Sequence, residues 1–501
     1  MDYIIVQAGG KGSRMERLTR NKPKALVPVN NLPMLFHLFR KYPDKHYVII
    51  GDYKIDVLEA YLAAFANVDY KLVSGAGNEG TCAGLKKALD CIPDNEKFML
   101  IWCDLILPND YEIPKIDENV IGISKDFVCR WMYKDGEFKE ERSAEYGVAG
   151  HFFFKNKKEI ENVPESGEFV RWLQGQSISF VEQPLYKTRE YGLIEEWNKL
   201  PKNRCRPFNK MTITEDKVIK EAIDAQGECL AVREIAWYKK MQGFSYNNIP
   251  RIYSFSPLTM ERVNGKNVYE YANASMELKA KILSGIIENL KELHSIENAP
   301  YSEESFRDAY LEKTFNRLSK VQKLVPFADK PTIKINGKEC RNVFFHKEEL
   351  EKLVMQFAPQ KFSLIHGDST FSNIIVKDDG SSIFIDPRGY FGKTEIFGDP
   401  AYDWVKLYYS LVSNYDQFNL KRFDLTIAEN EVILKIESNG FETLENLFFE
   451  QLGNEVSRKQ MKLLLAITWL SLTTYAWEDY DSICGAFYNG ELYLEEALNE
   501  Q

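Results

Sequence analysis

The segment Leu364–Gly389, LIHGDSTFSNIIVKDDGSSIFIDPRG, alternates short apolar runs with polar punctuation at His366, Asp368, Asn373 and Asp386. Lys377 to Ser382, KDDGSS, is a turn sequence between two β-type runs, Asn373 to Val376 and Ile383 to Asp386, so the segment predicts a hairpin. Pairing Val376 with Ile383 sets Asn373 opposite Asp386. Cross-strand side chains of that kind sit roughly 5 Å apart at Cβ, close enough for one oxygen from each to share a hard cation. Asp368 precedes Asn373 with the spacing D-x-x-x-x-N.

That spacing is the one a phosphoryl-transfer loop uses: an aspartate to accept a hydroxyl proton, an asparagine on magnesium, and a further aspartate on magnesium at the nucleotide phosphates. The segment resembles the aminoglycoside phosphotransferase and choline kinase superfamily, whose loop reads H-G-D-x-x-x-x-N followed by I-D. The resemblance implies Asp368 as catalytic base, Asn373 and Asp386 as metal ligands, and His366 as a support of the loop.

Composition sets the bounds. A chain of 501 residues is too long for a single ordinary core, and about 150 residues per domain predicts two to four units. A formal net charge of -10 argues against a nucleic-acid partner, so an anionic substrate must be held by local positive charge or metal. The eight cysteines are scattered without a C-x-x-C pair, which reads as reduced thiols of a cytoplasmic protein. Asp2 stands where a secretory signal needs positive charge, and no apolar run approaches a membrane span.

At the other end of the chain, the β-type run Asp2 to Gln7 leads into Ala8-Gly-Gly-Lys-Gly-Ser-Arg-Met15 with a helix expected after it. A strand entering a glycine-rich loop can turn backbone N–H groups toward phosphate oxygens. Lys11, Arg14 and Lys24 add mobile positive charge. The loop lacks the G-K-[ST] ending of a Walker A motif, and Met15 stands where a dinucleotide fingerprint needs a small residue. Taken with Lys22-Pro-Lys-Ala-Leu-Val-Pro-Val29, it resembles the sugar-nucleotidyltransferase signature, A-G-G-x-G-x-R-M followed by K-P-K-x-L-x-P-V.

This second resemblance implies that Ala8, Gly9, Gly10, Lys11, Gly12 and Ser13 bind nucleotide, that Arg14 and Lys24 act in catalysis, and that Thr81, opening a helix to about Leu89, lies near the base. Asp104, ending the apolar run Phe98 to Cys103, falls where that family holds its metal, at the carboxyl edge of a parallel strand. Tyr146 to Phe154 is similar to the family's acceptor-side strand. The family's second metal carboxylate has no evident counterpart in Phe180 to Thr188; Glu182 or Lys187 would have to stand in for it.

The polar, proline-bearing stretch Glu195 to Asn209 marks a seam, with the boundary placed near Arg206. Residues 1–205 are expected to form an α/β Rossmann-like nucleotidyltransferase domain and residues 206–501 an α+β bilobal kinase-like phosphotransferase domain. In the latter, Lys220 follows Val218-Ile219 as a phosphate-binding lysine does, with Glu234, in preference to Glu228, as its partner on the next helix. Met260 to Gly265, including Glu261, resembles the hinge that meets adenine. Asp399 and Asp403 would anchor the loop or approach the acceptor. Aromatics such as Trp404, Tyr408, Trp469 and Tyr475 fit an alkylammonium cage less well than they fit a core.

The two resemblances fit into one scheme. ATP, with Mg2+, phosphorylates a small alcohol, and the phosphate ester is then coupled to a nucleoside monophosphate, CTP being the preferred donor by resemblance to phosphocholine-type activation enzymes, for decoration of a surface polysaccharide or lipid. Two other schemes remain open: a kinase with a non-catalytic nucleotide-binding N-terminal module, and a sugar kinase joined to a sugar-1-phosphate nucleotidyltransferase.

Overall fold

The structure, a computed structural model, describes residues 1–200 and 209–500. The chain divides into two compact units, Met1–Pro201 with Glu478–Asp481, and Lys202–Trp477 with Ser482–Gln501. The boundary expected near Arg206 lies outside the described residues.

The first unit is built on four parallel strands in the order Phe98–Trp102, Tyr3–Gln7, His46–Gly51, Asp69–Ser74. Ile4, Ile5 and Val6 are wholly buried because layers cover the central strand on both faces. Parallel neighbours need crossovers, which the helices Met34–Lys41 and Ile55–Phe65 supply on one side. The chain then returns across Tyr3–Gln7 to add Phe98–Trp102 on its other side. That reversal opens a crevice at the carboxyl ends of the two strands, where such sheets bind ligands. Beyond it the sheet turns antiparallel: Gly147–Phe154 pairs with Phe98–Trp102 and with Val120–Ser124. The fold is therefore a Rossmann-like α/β domain with a mixed sheet.

Two local expectations fail here. The glycine loop runs not into an α-helix but into 3-10 turns over Ser13–Thr19, broken at Glu16 (φ 49, ψ -119). Tertiary packing overrides helix propensity at this point: Met15 is drawn fully into a small cluster with Val27, Val29 and Met34. The helix expected to open at Thr81 begins only at Leu85, after Gly84 in the left-handed region.

The second unit has a two-lobed α+β arrangement. Its smaller lobe is an antiparallel sheet in the order Asn209–Ile213, Lys217–Ala222, Leu258–Glu261, Ile252–Phe255, packed by the helix Ala225–Met241. Asp224 caps that helix, its carboxylate accepting from Gly227 N at 2.8 Å. The larger lobe centres on the helices Met276–Ile296, Pro400–Ser413, Arg458–Leu472 and Tyr480–Asn499. Ile282, Leu283, Ile286, Ile287, Leu290 and Leu293 form the buried stripe of the first. The hairpin expected at Thr332 to Cys340 is present, and Phe423–Ile427 with Val432–Ile436 extend it to four strands.

In the first unit, Gly150 has φ +73, and a Cβ there would lie 2.0 Å from the ring of Trp102 on the neighbouring strand. Gly150→Ala is expected to cost about 2–4 kcal/mol, overpacking joined to left-handed strain, read as a lower urea midpoint for the unfolding of this unit. Adding Trp102→Leu, which makes room, should recover part of the loss.

Candidate active sites

In the first unit the strand ends bring the glycine loop, Lys24 and Asp104 to one crevice. Gly12 has φ +64, and a Cβ there would come within 3.1 Å of both Lys24 Cβ and Thr19 Cγ2, so glycine lets the loop lie against Lys24. A Cβ at Gly10 would meet nothing within 4 Å, so the loop's rim faces open space. Lys11, Ser13 and Arg14 are exposed there, whereas Ala8 is wholly buried and Gly9 packs against Asp52.

Asp104 is 4% exposed and accepts from Lys24 Nζ at 2.5 Å. Burial works against the Lys24 ammonium, but the Asp104 carboxylate outweighs it, and the lysine titrates above its ordinary range. The second carboxylate is one the sequence reading missed. The short strand Arg189–Glu190 pairs antiparallel with Leu105–Ile106, Glu190 opposite Leu105, and Tyr191 N donates to Asp104 O at 3.0 Å. A Cβ at Gly192 would lie 2.4 Å from Glu190 Oε1 and 2.8 Å from Asp104 Oδ2, so the two carboxylates face one another across that glycine. Burial, reinforced by Asp104, pushes the Glu190 carboxyl up, and Lys24 and Arg14 only partly oppose this.

Glu182 and Lys187 are placed elsewhere. Glu182 is exposed on Val181–Leu185, beside Ile121, and exposed Lys187 pairs with Asp110 at 2.7 Å. The two-residue strand that carries Glu190 back to Asp104 lies just past Phe180 to Thr188. Thr81 also has a structural task, its hydroxyl accepting from Phe169 N at 2.8 Å to cap the helix Phe169–Gln174.

In the second unit a cavity of about 620 Å³ is lined at one end by Lys220, Glu234 and Leu258, and at the other by Tyr310, Lys313, Arg317 and Tyr475, with Asp368, Asn373 and Asp386 also on its wall. Lys220 Nζ bonds both Glu234 oxygens, at 2.8 and 2.9 Å, and Asp386 Oδ1 at 2.7 Å. Asp368, its side chain 39% exposed, accepts from Lys406 Nζ at 3.0 Å and from Asn373 Nδ2 at 2.8 Å. Burial pushes the Asp368 carboxyl up, but Lys406 prevails and holds it below the usual aspartate value. Glu261 lies elsewhere, accepting from Arg251 N at 3.2 Å.

The register differs from the expected one. Val376 pairs with Ser382, not Ile383, and Ile385 N donates to Asn373 O at 2.9 Å. Asn373 therefore faces Ile385, and Asp386 follows with φ 56. The one-residue slip arises because Asn373 ends a 3-10 turn and does not begin the strand. Asn373 and Asp386 still line the same cavity. Because Asn373 donates through Nδ2, its Oδ1 remains for a cation.

Asp403 anchors the loop. Fully buried, it accepts from His366 N at 2.8 Å, from Gly367 N at 2.6 Å and from His294 Nε2 at 3.0 Å. His366 is buried, with Nδ1 accepting from Asp368 N at 3.3 Å. Asp399 caps the following helix at Ala401 N and accepts from Tyr310 OH at 2.9 Å. Trp404, Tyr408 and Trp469 are core residues, each at most 1% exposed; of the aromatics considered for a cage, Tyr475 lines the cavity. Lys313, Arg317, Arg388 and Lys406, all on the cavity wall, carried no motif signal in the sequence.

Both sites offer hard oxygen donors, Asp104 with Glu190 and Asn373 with Asp386, which suits a divalent cation such as Mg2+. Among the described residues no three His, Cys, Asp or Glu gather into a ready-made cage. A cation at either site therefore completes its shell from phosphate and water, as magnesium does.

Residues 4–131 match the MobA-like NTP transferase domain, and residues 230–426 match the phosphotransferase enzyme family. The chain thus joins an N-terminal NTP transferase domain to a C-terminal phosphotransferase domain. Over 128 residues it is 30% identical to the bifunctional protein GlmU of Methanococcus maripaludis, a match covering 25% of this chain and 30% of the relative's length. Two solved structures are also similar. The CTP:phosphocholine cytidylyltransferase of Streptococcus pneumoniae is 18% identical, with 40% of this chain and 98% of that one covered at a TM-score of 0.33. The aminoglycoside phosphotransferase APH(2")-IIa bound to gentamicin is 18% identical, with 58% and 88% covered at a TM-score of 0.37.

Lys406→Met leaves burial acting on Asp368 without its main opposing charge, so the Asp368 carboxyl rises. The acid limb of kcat/KM for ATP-dependent phosphorylation is then expected to move to higher pH, as a pH–rate profile would show. An unmoved limb would mean that Lys406 does not tune Asp368.

Proposed function

We propose that the chain is a bifunctional enzyme that phosphorylates a small alcohol with ATP and couples the product to a nucleoside monophosphate, with CTP as donor and pyrophosphate as by-product. The observation that carries the first step is the convergence of Lys220, Asp368, Asn373 and Asp386 on one cavity. Asp368, kept ionised by Lys406, receives the acceptor's hydroxyl proton as that oxygen attacks the γ-phosphorus and ADP departs. Lys220, fixed by Glu234, steadies the nucleotide phosphates. Asn373 and Asp386 would hold the divalent cation, which neutralises charge developing on the phosphates when bound.

The second step rests on the crevice of the first unit. The open loop from Ala8 to Ser13, with Lys11 and Arg14, is suited to the triphosphate, and Lys24 to the charge that builds on the α-phosphate as the acceptor's phosphate oxygen attacks it. Asp104 and Glu190 would hold the cation there. Glu190 beside Asp104 favours a catalytic N-terminal unit over a merely binding one, since it supplies the second carboxylate. The choice of CTP, and a destination in surface polysaccharide or lipid decoration, rest on the resemblance of the domain pairing to phosphocholine-type activation enzymes. A sugar acceptor passing through the same two steps is the second reading.

Asp368→Asn is expected to lower ATP-dependent phosphorylation by roughly 10²–10⁴-fold and to leave pyrophosphate release from CTP and a pre-phosphorylated acceptor intact. Asp104→Asn and Glu190→Gln should do the reverse. Loss of both activities in any one variant would point to a single shared site and sink the proposal.

A further inference from the structure

The acceptor end of the phosphotransferase cavity carries a charge pattern unlike that suited to a cationic alcohol. Lys313 and Arg317 stand one turn apart on Lys313–Val321, Arg388 follows the metal-binding loop, and Lys406 lies on Pro400–Ser413. Lys406 is paired with Asp368. Among the described residues, no carboxylate pairs with the other three. Lys313 Nζ reaches only the Tyr402 hydroxyl, at 3.5 Å, and Arg317 donates to Ser471 O and, at 3.1 Å, to Ser471 Oγ. Arg388 donates to the hydroxyls of Tyr402 at 2.5 Å and Tyr390 at 2.7 Å, while its Nε is buried without a partner.

The acids on the cavity wall are elsewhere. Glu234 and Asp386 bond Lys220 and Glu221 pairs with Lys210, leaving Asp368, itself paired with Lys406, as the acid beside this end. The cations also act on one another: burial first, then repulsion from Arg388, Arg317 and Lys406, drives the Lys313 ammonium well below the usual lysine value. Crowding unpaired cations in a desolvated site is unfavourable. An anion entering among them would remove that penalty, and the surrounding tyrosine hydroxyls would add hydrogen bonds to its oxygens.

Resting on the kinase reading of this cavity, we propose that its acceptor is an alcohol bearing an anionic oxygen group, a carboxylate or a phosphate ester, held by Lys313, Arg317 and Arg388 with its hydroxyl toward Asp368. A quaternary or primary ammonium alcohol would meet two guanidinium groups and the Lys313 nitrogen with no free carboxylate to pair it, and is disfavoured by the same arrangement. The nucleotide phosphates do not account for these groups, since Lys220 and the metal-binding pair serve the other end.

The test uses the full chain, ATP and magnesium, with glycerate, glycerol 3-phosphate, glycerol and choline as probes at equal concentration and ADP release as readout. The proposal expects glycerate or glycerol 3-phosphate to exceed glycerol and choline by tenfold or more in kcat/KM, the better of the two telling carboxylate from phosphate. Lys313→Met and Arg317→Met should each raise KM for that probe by tenfold or more, with KM for ATP within twofold. Both should also melt at or above the wild-type temperature, because each removes an unpaired buried charge; a merely structural role would lower it. Preference for choline or glycerol overturns the proposal and leaves the kinase reading standing. If no probe is turned over, calorimetric titration of the ADP-bound protein decides: anion binding weakened tenfold in Arg317→Met supports the anion site while the kinase reading fails, and no anion binding at millimolar concentration overturns it.

Discussion

The buried carboxylate of Asp403 holds the phosphotransferase site in place. With no exposure to water, it is tolerable only because three N–H groups converge on it, from the backbones of His366 and Gly367 and from the His294 ring. Moving the loop would strip a buried charge of its partners. The same residue accepts Ser369 Oγ at its carbonyl, at 2.8 Å, and Lys406 stands one turn further along its helix. One anchor therefore sets both Asp368 and the lysine that keeps it ionised. Just upstream, Ile365 O accepts from Trp237 Nε1 at 2.8 Å, on the helix that bears Glu234. Lys220, bonded to Glu234, is thereby referenced to the same few residues of loop.

What the sequence disclosed and what it concealed divide along one physical line. The glycine loop with its K-P-K run, and H-G-D with Asn373 and Asp386, are local: each lies within one strand and the turn beside it. Glu234 was legible because a lysine strand followed by a helix leaves few candidates. Glu190 was hidden because a two-residue strand returns it to Asp104, and neither its length nor its composition marks it. The Asn373 register failed for a related reason. Alternation of apolar residues does not show that a strand starts one residue late, after a 3-10 turn, or that Asp386 leaves the ladder in a left-handed conformation. Lys313 and Arg317 were least legible, since an amphipathic helix with basic residues usually presents them to solvent, and only tertiary packing turns these toward a cavity.

The charges in the two units follow one rule with opposite signs. In the first unit two carboxylates face each other, and the cost falls on Glu190, whose carboxyl is pushed up; a cation relieves such a pair. At the acceptor end of the second unit the surplus is positive and the cost falls on Lys313. Lys24 offsets only part of that cost in the first unit, and among the described residues no carboxylate at ion-pair distance offsets it at Lys313. Strongly perturbed groups gathered in a cleft are the mark of a site poised for something it binds.

A net charge of -10 sharpens the point. The overall field repels anions, and screening confines it to about 8 Å at physiological salt. Binding of any anion therefore depends on cations whose surroundings are dry enough for their fields to survive. Lys220, Lys313, Arg317 and Arg388 are set in such surroundings, among tyrosines and aliphatic side chains. The tyrosines suit this role better than they suit an ammonium cage. Their hydroxyls accept from Arg388 and Lys313, and the rings of Tyr390 and Tyr402 lie against the same groups, so these tyrosines already serve to orient guanidinium and ammonium groups of the chain itself.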